Sequence, residues 1–198
     1  MIDNVAYLLF ALGSIGVFTL YMTVNVFLKY TENKDVDMYK AISSGIIPLA
    51  VLGAYVFIVA LYGQLTWPLP APYDQALFNP LISVSLVIVG FTLSAWKKQK
   101  MHYVGLFSLL AGLATLFYGI QDYSAGLTQI PTAFAILYVS FGMVAVLAFP
   151  VSLIMDLRPG KTRNHPRIWG ALLALFWMFL IIAIMTAFLV MVYNGPGP

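Results

Sequence analysis

Long apolar runs separated by short polar connections dominate the pattern of this chain. Each run is close to or longer than the roughly 20 apolar residues that cross a bilayer as a helix, and polar side chains concentrate between the runs. The six runs are Val5–Leu28, Ala41–Gly63, Pro80–Trp96, Tyr103–Gln121, Ile130–Leu157 and Ile168–Tyr193. The pattern predicts an all-α integral membrane protein whose six transmembrane helices form one bundle over residues 1–198.

The composition agrees with a membrane protein and argues against several other classes. Hydrophobic residues make up 62% of the 198 residues and charged residues only 9%, which is far from the balance of a soluble domain. Because the chain has no cysteine, it can form neither a disulfide nor a thiolate metal site. We expect the lipid bilayer, and no nucleic acid, as a partner, since the basic residues behind the net charge of +3 occupy the connections.

The basic connections alternate with connections that carry no basic residue. All ten basic residues lie in, or at the edge of, the first, third and fifth connections. They are Lys29, Lys34, Lys40, Lys97, Lys98, Lys100, Arg158, Lys161, Arg163 and Arg167. Because basic loops stay on the cytoplasmic side, we predict a multi-pass protein of the cell membrane with both termini outside and three basic hairpins inside.

Similar helix ends suggest three helical hairpins in a row. The third and fifth runs each begin with a proline, Pro80 and Pro131, which suits a first helical turn. The even-numbered runs end on an aromatic residue and glycine, namely Tyr62-Gly63, Tyr118-Gly119 and Tyr193-Asn194-Gly195. The hairpins are an internal repeat of the kind found in transport folds, or these residues are the interface tyrosines and glycine caps of unrelated helices.

The longest outer connection, between Gln64 and Asn79, is rich in proline. Its prolines predict an extended, polyproline-like path with Trp67 at the membrane interface. We therefore take Trp67, Tyr73 and Asp74 as candidate residues of a loop that folds over the outer mouth of the bundle. The alternative is a stiff linker that only spaces two helices.

The fifth run carries an aromatic stripe. Phe134, Tyr138 and Phe141 recur at helical spacing on one face, and the middle of every run is free of Asp, Glu, Lys, Arg and His. A stripe that faces inward, with neutral hydroxyl groups at depth, predicts a channel or facilitator for a small neutral solute. The alternative is that the aromatics only pack, in a structural or accessory subunit of a larger membrane complex.

Chemically reactive groups are sparse, so we expect neither an enzyme nor a cofactor or metal site. The two histidines, His102 and His165, fall at or in inner loops and are expected to be solvated rather than to act as ligands. Asp156, with Arg158, is likewise expected to be a solvated partner of a basic loop. No serine has a general base near it in the sequence, which leaves Asp74 and Asp122 at the outer surface as the remaining candidates for a base.

Small residues mark a predicted helix contact. Gly105, Ser108, Gly112, Thr115 and Gly119 fall on one side of the fourth run. Such faces let two backbones approach closely in lipid, where no hydrophobic effect drives helices together. The sequence therefore predicts that this side of the fourth helix packs tightly against a neighbour.

The stretch TWPLPAPYD, together with the chain length and the six runs, resembles a family of uncharacterised archaeal membrane proteins known only as a domain of unknown function. The resemblance covers the whole chain. It implies a six-helix membrane protein and brings no activity.

A second, more distant resemblance is to the urea and amide channels, and it rests on AILYVSFGMVAVLAF in the fifth run and Gly90-Phe91-Thr92 in the third. It implies that Phe91, Phe134, Tyr138 and Phe141 line a pore and that the protomers form a homo-oligomeric ring. Ala145 replaces an aromatic of that family, and Ile130 and Ala174 replace its acidic pore-mouth residues. Urea selectivity and acid gating are therefore not implied.

Overall fold

The computed structural model describes residues 4–32, 38–66, 71–126, 128, 130–157 and 166–193. These residues form six α-helices and no strand. The helices are α1 Asn4–Glu32, α2 Met38–Thr66, α3 Ala71–Trp96, α4 His102–Ala125, α5 Pro131–Asp156 and α6 Pro166–Tyr193. All six are long and apolar enough to cross a membrane, which confirms the prediction of a multi-pass, all-helical membrane protein.

The six helices close into a ring. Each helix packs mainly against its neighbours in the chain, and α1 packs against α6. The connections α1–α2 and α3–α4 lie at the same end, because the Tyr39 hydroxyl is 3.0 Å from the carbonyl oxygen of Gln99. We call this the inner end and the other the outer end, after the predicted orientation.

The outward surface of the ring is apolar. On α2 the side chains of Ile47, Val51, Ile58 and Leu65 are all more exposed than buried. Monomeric soluble proteins rarely expose large contiguous patches of such residues. The ring therefore has the surface of a protein that is surrounded by lipid.

The third helix begins at Ala71 rather than at Pro80, so the predicted start was wrong. The other five helices agree with the predicted runs to within about one turn. Pro72 occupies the first turn of α3, where its missing N–H leaves no helical bond unmade. Tyr73 and Asp74 consequently lie in a helix and not on an extended, polyproline-like path.

The small-residue side of α4 packs against α5, as predicted. A Cβ atom added at Gly112 would lie 2.7 Å from the carbonyl oxygen of Gly142 and 2.8 Å from the amide nitrogen of Val146. The Ser108 hydroxyl donates to the carbonyl of Ala145 across the same contact, at 2.8 Å. The two backbones thus touch where side chains are small.

Polar side chains join other neighbouring helices around the ring. The Trp177 Nε1–H of α6 donates to the Thr23 hydroxyl of α1 at 2.8 Å. The Asn25 amide of α1 donates to the carbonyl of Ala41 at 3.0 Å. Within a membrane such bonds stabilise by about 0.6 kcal/mol on average, so they set the register of the helices more than they set total stability.

Candidate functional site: the axial cavities

Three cavities follow one another along the inside of the ring. The outer, middle and inner cavities measure about 40, 90 and 140 Å³. Side chains from α1, α3 and α5 line all three. Adjacent cavities share wall residues, so the three follow one another from the outer half of the ring to its inner half.

The four aromatics predicted to line a pore all lie on this series. Phe134 and Tyr138 line the outer cavity, and Phe141 lines the outer and the middle cavity. Phe91 lines the middle and the inner cavity. The structure therefore brings the four side chains together along the interior. Whether they line a conducting pore stays a prediction.

Tyr138 has a polar partner in the protein. Its hydroxyl donates to the backbone carbonyl of Ala76 on α3 at 2.7 Å. Ala76 lies four residues before Pro80, which has no N–H to give to that carbonyl. The tyrosine thus satisfies a backbone acceptor that the proline leaves without its helical partner.

The cavity walls offer few free hydrogen-bonding groups. The hydroxyls of Thr92 and Thr115 donate to carbonyls of their own helices, Val89 and Ala111, at 2.9 and 2.8 Å. The remaining wall is almost entirely aliphatic and aromatic. Within the part of the chain that the structure describes, no continuous polar path joins the two ends.

The predicted outer-mouth residues are only partly placed. Trp67 lies outside the described residues. Tyr73 and Asp74 belong to the first turns of α3, and their side chains are outside the described part. A role of these residues in covering the outer mouth stays a prediction.

Asp122 is a buried acidic residue that lies just beyond the end of the predicted fourth run, Tyr103–Gln121. It lies in the last turn of α4 and is only 1% exposed. Its Oδ2 accepts a long hydrogen bond of 3.5 Å from the Thr128 hydroxyl. The sequence could have indicated this burial, because Asp122 continues the spacing of Thr115 and Gly119 on the small-residue face of α4.

Asp156 is buried, so the expectation that it is solvated beside Arg158 was wrong. Its side chain is 4% exposed, and Oδ2 accepts the His102 backbone N–H at 2.7 Å. His102 Nδ1 lies 2.8 Å from the same oxygen, and the Tyr39 hydroxyl lies 3.1 Å from Oδ1. The carboxylate caps the first turn of α4, where backbone N–H groups lack helical partners.

The same contacts correct the expectation for His102. It is the first residue of α4 and bonds to Asp156 rather than standing free in a loop. His102, Asp156 and Tyr39 together join the inner ends of α4, α5 and α2. Among the described residues, no three histidine or acidic side chains lie close enough to hold a metal ion.

No curated protein and no solved structure matches the chain. A family model described as "Protein of unknown function (DUF981)" matches residues 1–197. The six helices that could span a membrane and the almost complete coverage agree with the first resemblance in its fold and in its lack of a known function. The chain therefore belongs to the DUF981 family, whose function is unknown.

Proposed function

We propose that the ring of six helices conducts a small neutral solute along its interior and is closed in the arrangement described above. The observation that supports this most is the series of three cavities bounded by Phe141 and Phe91. In this proposal each phenylalanine ring separates two neighbouring cavities. Rotation of two side chains, rather than movement of whole helices, would then join the cavities.

The walls restrict the class of solute. A charged solute would lose its hydration without gaining a counter-charge, because the described cavity walls carry no ionisable group apart from the Tyr138 phenol. Each amide or hydroxyl group that enters without a new hydrogen bond costs about 4 to 8 kcal/mol in an alkane-like setting. The proposal therefore favours small neutral molecules with few hydrogen-bonding groups.

The test is flux into proteoliposomes, measured as light scattering after rapid mixing. We expect the protein to increase the rate of solute entry over that into protein-free vesicles. The increase should be larger for acetamide than for urea or glycerol. Phe141→Ala should raise the flux, because it removes the ring between the outer and middle cavities. Phe117→Ala is the matched control, since Phe117 is 66% exposed on the lipid side of α4. Equal flux with and without the protein, for every solute, would reject conduction.

The second candidate function is that of a structural or accessory subunit in a larger membrane complex. The observation that favours it is the Tyr138 hydroxyl, which bonds to the Ala76 carbonyl instead of remaining free for a solute. Neither proposal involves catalysis. Purification from native membranes in mild detergent would test the alternative, which predicts a partner of another sequence at constant stoichiometry, whereas conduction alone predicts only copies of this chain.

A homo-oligomer in the cell membrane, with both termini outside, completes the proposal. The alternation of basic connections supports the orientation. The resemblance to channels that form rings of identical protomers supports the oligomer. Native mass spectrometry from detergent would give the number of protomers directly. A purely monomeric protein in lipid nanodiscs would remove the oligomer from the proposal and leave conduction by each protomer untouched.

A further inference from the structure

The inner cavity contains one hydroxyl group whose hydrogen is not used within the protein. Thr19 lines both the inner and the middle cavity. Its side chain donates no hydrogen bond to any atom in the described part of the chain. A threonine in a helix usually bonds back to a carbonyl one turn earlier, as Thr115 does to Ala111 and Thr186 does to Ile182.

The neighbouring threonines of this cavity are already committed. The Thr23 hydroxyl donates to the carbonyl of Thr19 at 2.8 Å and accepts the Trp177 indole N–H at 2.8 Å. The Thr92 hydroxyl donates to the carbonyl of Val89 at 2.9 Å. Thr19 therefore offers the free donor among the described threonines of the wall.

The size and lining of the inner cavity suit an apolar molecule. Its volume is about 140 Å³, and Ile42, Leu49, Phe91 and Phe176 are among the residues that line it. An apolar cavity of about 150 Å³ engineered in another protein stays dry and binds benzene or xenon. A hydroxyl in such a wall is left without a partner unless a ligand supplies one.

From this combination we infer that the inner cavity binds a small, mostly apolar molecule of about benzene size that carries one hydrogen-bond acceptor, with the acceptor placed against the Thr19 hydroxyl. The apolar body fills the cavity, and the acceptor receives the hydrogen that the protein leaves unused. The site needs only the cavity and the hydroxyl. It therefore goes beyond conduction and does not depend on it.

Benzene and pyridine form a matched pair of probes, because they share one shape and only pyridine carries an acceptor. Binding is measured by titration calorimetry on the protein in lipid nanodiscs at neutral pH, and empty nanodiscs correct for partition into lipid. We expect saturable binding of both probes. Thr19→Val should weaken pyridine relative to benzene by roughly three- to tenfold, the usual effect of one hydrogen bond.

Two controls keep the result specific. Thr186→Val should leave the pyridine-to-benzene ratio unchanged, because that hydroxyl already donates to Ile182 and lines none of the three cavities. Ala148→Val should weaken both probes, because Ala148 lines the inner cavity. The absence of saturable binding to the native protein would overturn the site. An unchanged ratio in a folded Thr19→Val variant would overturn the role of the hydroxyl.

Discussion

At Pro80 the helix α3 loses one backbone hydrogen bond, and Tyr138 on α5 replaces it. The proline has no N–H, so the carbonyl of Ala76 lacks its helical donor. The Tyr138 hydroxyl reaches that oxygen at 2.7 Å, in the buried wall of the outer cavity. A side chain of α5 thus supplies the hydrogen bond that the backbone of α3 cannot form.

This pairing makes a prediction for stability. Tyr138→Phe should lower the free energy of unfolding in detergent by on the order of 1 kcal/mol, because it leaves the Ala76 carbonyl without a donor. In a Pro80→Ala background the same change should have little effect, since residue 80 then supplies its own N–H to Ala76. Tyr62→Phe is the control, as Tyr62 is exposed on the lipid side. Equal losses in both backgrounds would contradict the pairing.

Helical spacing was enough to predict which face of α5 is turned toward the interior. Phe134, Tyr138 and Phe141 share a face because of their spacing alone, and that face does point into the ring. The partner of Tyr138 could not be predicted, because it is a backbone atom in a segment that was not predicted to be helical.

The two buried aspartates were missed for a different reason. Asp122 and Asp156 both lie in the last turn of a helix, where sequence patterns leave helix boundaries uncertain. A residue in the last turn of a helix is buried or solvated depending on which element packs beside it. For Asp156 that element is the first turn of α4, which contacts it from far away in the sequence.

At the scale of elements, the contact between α4 and α5 depends on Gly112. A side chain there would meet the carbonyl oxygen of Gly142 and the amide nitrogen of Val146, and backbone atoms cannot move aside as the end of a side chain can. The small residues predicted this contact because, in lipid, close approach of backbones is the main source of helix association.

Gly112→Ala should therefore separate the two helices and destabilise the protein by about 1 to 3 kcal/mol, as overpacking of a tight interior does. Gly170→Ala is the matched control, because the nearest atom that its Cβ would meet is a Phe27 ring carbon at 4.0 Å. In the control, alanine should be neutral or slightly stabilising in the helix. The free energy of unfolding of both variants is measured by titration with a denaturing detergent. An equal effect of the two changes would contradict the close contact.

Six helices were predictable because an apolar run of this length has few alternatives in a membrane. The start of α3 was not predictable, because residues 71–80 contain two prolines, Pro72 and Pro80, which suggest a loop until their positions in the helix are known. The order of the helices around the ring was not predictable either. It depends on which faces meet, and most faces of these helices are apolar enough to meet lipid instead.

For the whole molecule, the alternation of basic connections predicts orientation. Because the native chain has no cysteine, a thiol reagent labels only the single cysteine that is introduced. A cysteine at Ser124 and another at Asn164 should react with a membrane-impermeant maleimide from opposite sides of sealed vesicles. Ser124 should react from outside in whole cells. Reaction of both from the same side would contradict the predicted topology.

The measurement that tests conduction through the ring most directly is the reactivity of buried cysteines toward methyl methanethiosulfonate, a small neutral reagent. Thiols react through the thiolate and therefore need water. Ala145 and Ala148 line the cavities on α5, whereas Ala114 is exposed to lipid in the middle of α4. A water-accessible path along the axis predicts faster modification of Ala145→Cys and Ala148→Cys than of Ala114→Cys. Equally slow modification at all three positions would contradict it.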